Sequence, residues 1–294
     1  MYIDIFGKKR MKLGLHVHTT LSDGGRSPKV AAEIYRNAGY DAIAITDHWA
    51  WHPSCEIEGL RIISGCEYNI GGGDTAASGV FHLVALGGRE DPQLDKTVHT
   101  EPQQIISAVK RVGGEVVLAH PAWSLNTVEH FEAANGVFAT EIYNTVSGLH
   151  ASNRPDSSAI VDLAANQGCT LPLLATDDAH YYDGDQCVSY IMLDVTDGKT
   201  TDADILKKIA NGEFYATQGP EVHISLRSDG VVEVDCTPAS LISFYSQCAW
   251  DAQRNQRGEG ITHGEYTPHP YERWIRAEVV DAEGNRGWSN IIKL

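Results

Sequence analysis

Two histidines stand two residues apart in the apolar stretch Leu13–Gly24, LGLHVHTTLSDG, and an acid, Asp23, follows them closely. Side chains alternate faces along a strand, so a strand over Leu13–His18 puts the imidazoles of His16 and His18 on one side. That is a metal-ligand spacing, although the pair alone equally fits two hydrogen-bonded core histidines. The other His, Asp and Glu residues fall where ligation needs them. Asp47-His48 ends AIAITDH, Glu67 lies in IISGCEYN, His82 in FHLVALG, His120 closes VVLAHP, and Asp178 and His180 close LLATDDAH. Six histidines and three carboxylates thus gather mostly at the ends of apolar runs. With no thiolate among them, a mixed nitrogen and oxygen set suits Zn, Mn or Fe rather than a structural cysteine-zinc site. Glu67 has two oxygens with which to bridge two ions.

The elements that must carry these residues alternate. Short apolar runs are expected as strands over Leu13–His18, Asp41–Thr46, Arg61–Ser64, Phe81–Leu86, Glu115–Ala119, Phe138–Tyr143, Leu171–Thr176 and Val188–Leu193. Between them, Ser27-Pro28 opens a helix that Gly39 closes, and the box Thr100-Glu101-Pro102-Gln103 opens one ending at Gly113-Gly114. Asn153-Arg154-Pro155 begins another that stops at Gly168, and Thr201 caps a last one over Asp202–Ala210. Repeated β/α units around a mostly parallel sheet follow, with most of the candidate ligands at the carboxyl ends of the strands, where barrel sites assemble. After Gly219-Pro220 the pattern turns to period-two strands, with Arg227-Ser228-Asp229-Gly230 and Asp281–Asn285 as hairpin turns and the polar stretch Asp251–Pro270 as a long loop.

At 294 residues, 42% apolar and 21% charged, the chain has the make-up of a globular protein with one large domain or a large and a small one. Thirty-nine acids against 23 bases give a formal charge of -16, which argues against long nucleic acid as substrate. No apolar run is long enough to span a membrane and Met1–Lys12 has no signal-like stretch, so a cytoplasmic protein with no membrane partner is expected. The six cysteines are scattered and read as reduced thiols.

The motifs H-x-H-T, T-D-H, G-x-E, F-H, A-H-P and D-A-H, in that order over about Leu13 to Pro220, resemble those of the PHP (polymerase and histidinol phosphatase) superfamily of metal-dependent phosphoesterases. The resemblance implies an α/β protein, a distorted seven-stranded β/α (TIM-like) barrel, here followed by a small C-terminal all-β domain. The division is expected at 1–220 for the metal-dependent hydrolase barrel and 221–294 for a small β-sandwich-like domain. The segments Asn211–Pro220 and Trp274–Leu294 are more similar to a carbaryl-hydrolase-type branch, in which such a domain follows the barrel.

Carried over by position, the resemblance implies two to three divalent ions (Zn, Mn or Fe). His16, His18, Glu67 and Asp178 would hold the first, Glu67 with His82 and His120 the second, and Asp23, His48 and His180 the third. Asp47 and Asp177, each next to a ligand, are expected to accept from histidine N–H groups. Metal-activated water would hydrolyse a small-molecule phosphate ester and release inorganic phosphate; a carbamate or carboxylic ester hydrolase and a catalytically silent metal-stabilised binding module are the alternatives. Arg154 is the candidate phosphate clamp, beside an expected helix start, with His150 as general acid and His180 as a further catalytic residue. Trp49, Trp51 and His52 are candidates for the pocket wall. In the tail, His223, His263 and His269 have no metal spacing, Tyr245, Trp250 and Trp274 read as packing, and the surface leaves room for a homo-oligomer contact.

Overall fold

Helix ends form where the caps stand. In this computed structural model, which describes residues 2–72, 79–149, 152–195 and 200–294, the Ser27 hydroxyl accepts from the Val30 amide and Pro28 opens α1 (Pro28–Asn37). A reciprocal box between Glu101 and Gln104 opens α2 (Pro102–Arg111), and Thr127 and Thr201 cap α3 (Val128–Ala133) and α5 (Asp202–Ala210). The helix expected from Asn153 starts later: α4 is Ser158–Asn166. Asn153 adopts φ 53° and Asp156 bridges to Tyr143, so the chain is still turning there and Arg154 precedes the helix by four residues.

The strands are β1 (Tyr2–Ile3), β2 (Lys9–Gly14), β3 (Ala42–Ala44), β4 (Cys55–Ile57), β5 (Leu60–Ile63), β6 (Gly65–Gly71), β7 (Val80–Leu86), β8 (Glu115–Leu118), β9 (Ala139–Asn144), β10 (Leu173–Thr176), β11 (Tyr190–Asp194) and β12 (Phe214–Thr217). The tail adds β13 (Val222–Leu226), β14 (Val232–Tyr245), β15 (Asn255–Tyr266), β16 (Trp274–Val280), β17 (Arg286–Trp288) and β18 (Ile292–Lys293). Among the described residues these strands make two sheets and no closed barrel. One runs β13-β14-β16-β17-β12-β11-β2-β3-β5-β4, with β1, β15 and β18 attached, and the other runs β10-β9-β8-β7-β6.

The expected mostly parallel order holds only for β2-β3-β5 and β8-β9-β10; β6, β7, β11 and β12 pair antiparallel. Parallel neighbours need a crossover of a dozen or more residues, and β6 returns into β7 in fewer. The chain changes sheet at Ser64. A Cβ on Gly65 would meet the Ile45 carbonyl oxygen at 2.9 Å, so only glycine lets β6 leave so close to the first sheet. At one end the sheets touch through single bridges, Val17 to Ala179 and His48 to Glu67, rather than a ladder. The seam between them is where the polar residues meet.

A large core joins both sheets and the helices, including Leu13, Leu83, Val117, Ile142, Leu174, Ile105 and, from the tail, Trp288. The tail has its own cluster around Val234, Ile242, Phe244, Tyr266 and Val279, into which Met192 and Tyr215 also reach. Its strands extend the first sheet, because β17 pairs with β12 at Ala216–Trp288 and Thr217–Gly287. The Asn290 amide adds bonds to Gly212, Phe214 and Leu173. Both hairpin turns form as expected between β13 and β14 and between β16 and β17. The expected loop Asp251–Pro270 is instead mostly β15, polar on both faces because it lies at the side of β14 as an edge strand. The six cysteines are unpaired, and no helix among the described residues is long and apolar enough to cross a membrane.

Candidate metal centre

The first ligand pair sits beyond its strand. β2 ends at Gly14, and the chain runs on extended through His16 and His18 while Leu15 and Val17 enter the core on the opposite face. The loop after them is tight: a Cβ on Gly24 would lie 2.4 Å from the His18 carbonyl carbon. Asp47 anchors it by accepting from the Thr19 and Ser22 amides at 2.8 and 3.1 Å and from both hydroxyls. Asp177 likewise accepts from the Cys187, Val188 and Ser189 amides and the Tyr35 hydroxyl. Neither carboxylate takes a histidine N–H in these bonds. Alternation sends the neighbour of a ligand away from the centre, so both hold loops instead.

Left-handed backbone re-aims two further ligands where their strands end, with φ 28° at His120 and 53° at Asp178. Such conformations cost about 1–3 kcal/mol for a residue with a side chain and persist where the surroundings dictate them. The result is a buried knot of rings and carboxylates. Glu67 divides it. Its Oε1 lies 2.7 Å from His82 Nδ1 and 3.3 Å from His120 Nε2, while Oε2 lies 3.0–3.3 Å from His18 Nε2, His16 Nε2 and His48 Nδ1. Asp178 Oδ1 is 3.1 Å from the Nε2 atoms of both His16 and His18, which are 3.2 Å from each other. Farther out, Asp23 is 3.5 Å from His18 and His180 and 3.8 Å from His48.

Among the described residues four groups could each surround one ion, and three of them lie here: His16, His18, Glu67 and Asp178; His48, Glu67 and His82; and His18, Asp23, His48 and His180. The fourth, Glu233, His263 and Glu265, is mostly exposed on the tail, where the strands bring His263 to two acids that its sequence spacing did not announce. Of the three at the seam, the first and third contain the implied sets. In the second, His48 stands in the place expected for His120, whose Nε2 faces Glu67 and, at 3.7 Å, Asp178.

Whether cations fit can be judged from what the knot lacks. Asp178 Oδ1 and His48 Nδ1 are buried without a hydrogen-bond partner, although ring nitrogens and carboxylate oxygens crowd both. Burial disfavours a charged His16, but Asp178, Glu67 and Glu141 overcome it and push the imidazole up to about 10. His18 also rises despite burial, through Asp178, Asp23 and Glu67, while burial holds His48 down. Glu67 and Asp178, though buried, are held below the usual carboxylate range by the facing imidazoles. Without metal the carboxylates draw protons onto the histidines; a divalent ion satisfies the same oxygens and leaves the rings neutral.

Sequence reasoning missed Glu141. Its carboxylate, fully buried on β9, takes His16 Nδ1 at 2.8 Å, the His120 amide at 2.9 Å, Thr176 Oγ1 at 2.8 Å and the Asn144 amide at 2.8 Å. Asn144 also donates to Asp178 Oδ2 at 3.2 Å. The available signal was a lone acid in the apolar strand FATEIY, with no base in the run to pair it.

A cleft of about 330 Å³ opens over the knot, lined by Asp23, His48, Glu67, His82, His120, Asp178 and His180, and beyond them by Trp123, Val146, Ser147, Leu149, Ser152 and Tyr181. Arg154 is exposed and does not line it; its amide bonds the Ser147 carbonyl, and the later start of α4 removes the expected helix amides from its side. His150 lies outside the described residues. Trp49 and Trp51 pack on the core and His52 turns to the Pro53 carbonyl, so none forms the cleft wall.

The crystal structure of a two-domain protein from Bacteroides vulgatus, described as containing a predicted PHP-like metal-dependent phosphoesterase, superposes over 100% of this chain and 97% of its own with a TM-score of 0.54 at 14% identity. The chain shares the fold of that structure. Two further solved structures align less well: a putative metal-dependent phosphoesterase from Bifidobacterium adolescentis (17% identity, 67% of this chain and 94% of the other, TM-score 0.41) and an amidohydrolase from Chromobacterium violaceum with bound sulfate and no metal (16%, 59% and 89%, 0.40). In sequence, the chain is 24% identical over 241 residues to the DNA polymerase III subunit alpha of Treponema pallidum, matching 68% of this chain and spanning only a fifth of that protein's length. No family model matches. Within this fold, the nine residues expected from the motifs converge on one seam, and Glu141 and Asn144 brace them from behind.

Proposed function

We propose that the chain is a metal-dependent hydrolase acting on a small-molecule phosphate ester and releasing inorganic phosphate. The observation that carries this is Glu67, buried with imidazoles against both carboxylate oxygens, beside an Asp178 oxygen that lacks a hydrogen-bond partner. Two to three divalent ions, Zn, Mn or Fe, fit the groups around it. Such ions, when bound, supply Lewis-acid polarisation of the ester and a water of lowered pKa. The chain's residues do the rest. Glu67 ties the groups together, and Glu141 orients His16 and the His120 backbone. His180 Nδ1–H donates to the Asp178 carbonyl at 2.7 Å, which turns Nε2 toward Asp23 and the cleft. There it completes the outer group or, when only two ions bind, offers a proton to the leaving oxygen. Three divalent ions against three ligand carboxylates leave the seam cationic within an acidic protein, which draws an anionic ester.

A second reading, a carbamate or carboxylic ester hydrolase, is favoured by one feature: no Lys or Arg lines the cleft among the described residues. A panel of nucleotide, sugar and aryl phosphates and an aryl carbamate, assayed with Mn or Zn, separates the two. Phosphate esters should turn over and inorganic phosphate should inhibit competitively; faster carbamate turnover without phosphate inhibition would overturn the proposal.

A further inference from the structure

Trp123 stands on the wall of the cleft, beside the inner knot of histidines and carboxylates. Its loop directly follows Ala119-His120-Pro121 and is pinned at several points: the Ser124 amide donates to the His120 carbonyl at 3.1 Å, the Asn126 amide to the Pro121 carbonyl at 2.9 Å, and the Asn126 side chain to the Val80 carbonyl at 2.7 Å. The indole stands edge-on to His82 and His120, with centroids 5.2 and 5.0 Å away and planes inclined by 64° and 77°. Those two rings are the ones facing Glu67 Oε1. Yet Trp123 is 38% exposed, in a chain that buries Trp274 and Trp288 completely. An indole fixed in place and left partly open within a cleft is a preformed platform, of the kind that binds flat groups at little entropic cost.

The rest of the outer cleft narrows what that group is. Val146, Leu149 and Tyr181 make the apolar wall, and Ser147 and Ser152 are its polar members. Among the described lining residues the charged groups outside the ligand set number none, and the ligand Asp23 at the rim is an acid. A second phosphoryl group on the substrate would leave the cationic seam and find no base to meet it, in a chain of net charge -16.

We infer that Trp123 determines specificity by stacking on a flat, uncharged aromatic leaving group, and that the substrate carries a single phosphoryl group; the inference rests on the phosphoester reading above. Binding of non-hydrolysable probes to the Mn- or Zn-loaded protein tests it by calorimetry, with indole fluorescence as a second readout. Phenylphosphonate should bind about tenfold more tightly than methylphosphonate. Trp123→Ala should remove that preference while leaving methylphosphonate affinity and metal content unchanged, and Trp123→Phe should restore most of it. A second phosphonate at the far end of the ring, as in 1,4-phenylenebisphosphonate, should weaken binding relative to phenylphosphonate. Equal affinities for the phenyl and methyl probes, a preference that survives in Trp123→Ala, or tighter binding of the bisphosphonate would overturn this inference alone. If neither simple phosphonate binds the loaded protein, the phosphoester reading falls and takes this inference with it.

Discussion

Two of the clusters of charged groups buried among the described residues are built on opposite terms. At the tail, Arg276 is fully buried and grips Asp162 of α4 bidentately at 2.7 and 2.8 Å, its guanidinium 4.1 Å from the centre of the Tyr245 ring. Glu278 beside it takes Arg286 at 2.5 Å, so acid and base alternate across the junction between the tail and α4. At the seam, Glu67, Asp178 and Glu141 are buried with no ion pair to Lys or Arg among the described residues, and the groups that could carry the opposite charge are imidazoles, whose charge depends on a proton. The first cluster supplies its own counter-charges and serves packing. The second offers candidate ligand atoms and supplies no fixed counter-charge of its own, which makes it the candidate site.

The sharpest way to break this contrast is to remove the tail. A chain ending at Gly219 loses the β17 partner of β12, the core residue Trp288, the three backbone bonds of Asn290 and the Arg276 clamp on Asp162. Loss of a cooperative unfolding transition and of bound metal is expected; a folded, metal-loaded fragment would show that residues 221–294 are a separable support, the stronger form of the division proposed at 220. At the seam, Glu67→Ala should abolish turnover and lower metal content by more than one ion per chain, whereas Asp23→Ala should cost at most one. Elemental analysis of both variants decides, and equal losses would refute the bridging role. At the junction, Asp162→Ala strands a buried guanidinium and should destabilise by about 3–5 kcal/mol in denaturant melts with metal content unchanged. Replacing the pair together, Asp162→Leu with Arg276→Met, should recover most of that loss. The smallest effect sharpens the second cluster: Glu141→Gln keeps the shape but weakens the hold on His16, and metal affinity should fall about 10- to 100-fold by competition with a chelator. An unchanged affinity would reduce Glu141 to packing.

The candidate ligands were legible in the sequence because their information is local. His16 and His18 share a face through simple alternation, and Asp47-His48, Glu67, His82, His120 and Asp178-Ala179-His180 each punctuate an apolar run, so their convergence required only that strands line up. Most of the strands and the capped ends of α1, α2 and α5 were legible for the same reason, since capping and turn chemistry act within a few residues. The tertiary structure alone decided everything that depends on partners distant in sequence. It broke the expected barrel into two sheets among the described residues, since the chain leaves the first sheet between β5 and β6 and returns to it between β10 and β11, and it turned β7 antiparallel to β6 across too short a connection to run parallel. It made β15 a strand from a polar stretch by giving it an edge to pair with, and joined the tail to the first sheet through β12 and β17. It turned Asp47 and Asp177 away from the histidines, set Arg154 outside the cleft, and brought Glu141 to His16, 125 residues earlier in the chain. The choice of candidate ligands follows from residue type and spacing, whereas their bracing, and the open indole beside them, follow from packing between elements that no local pattern relates.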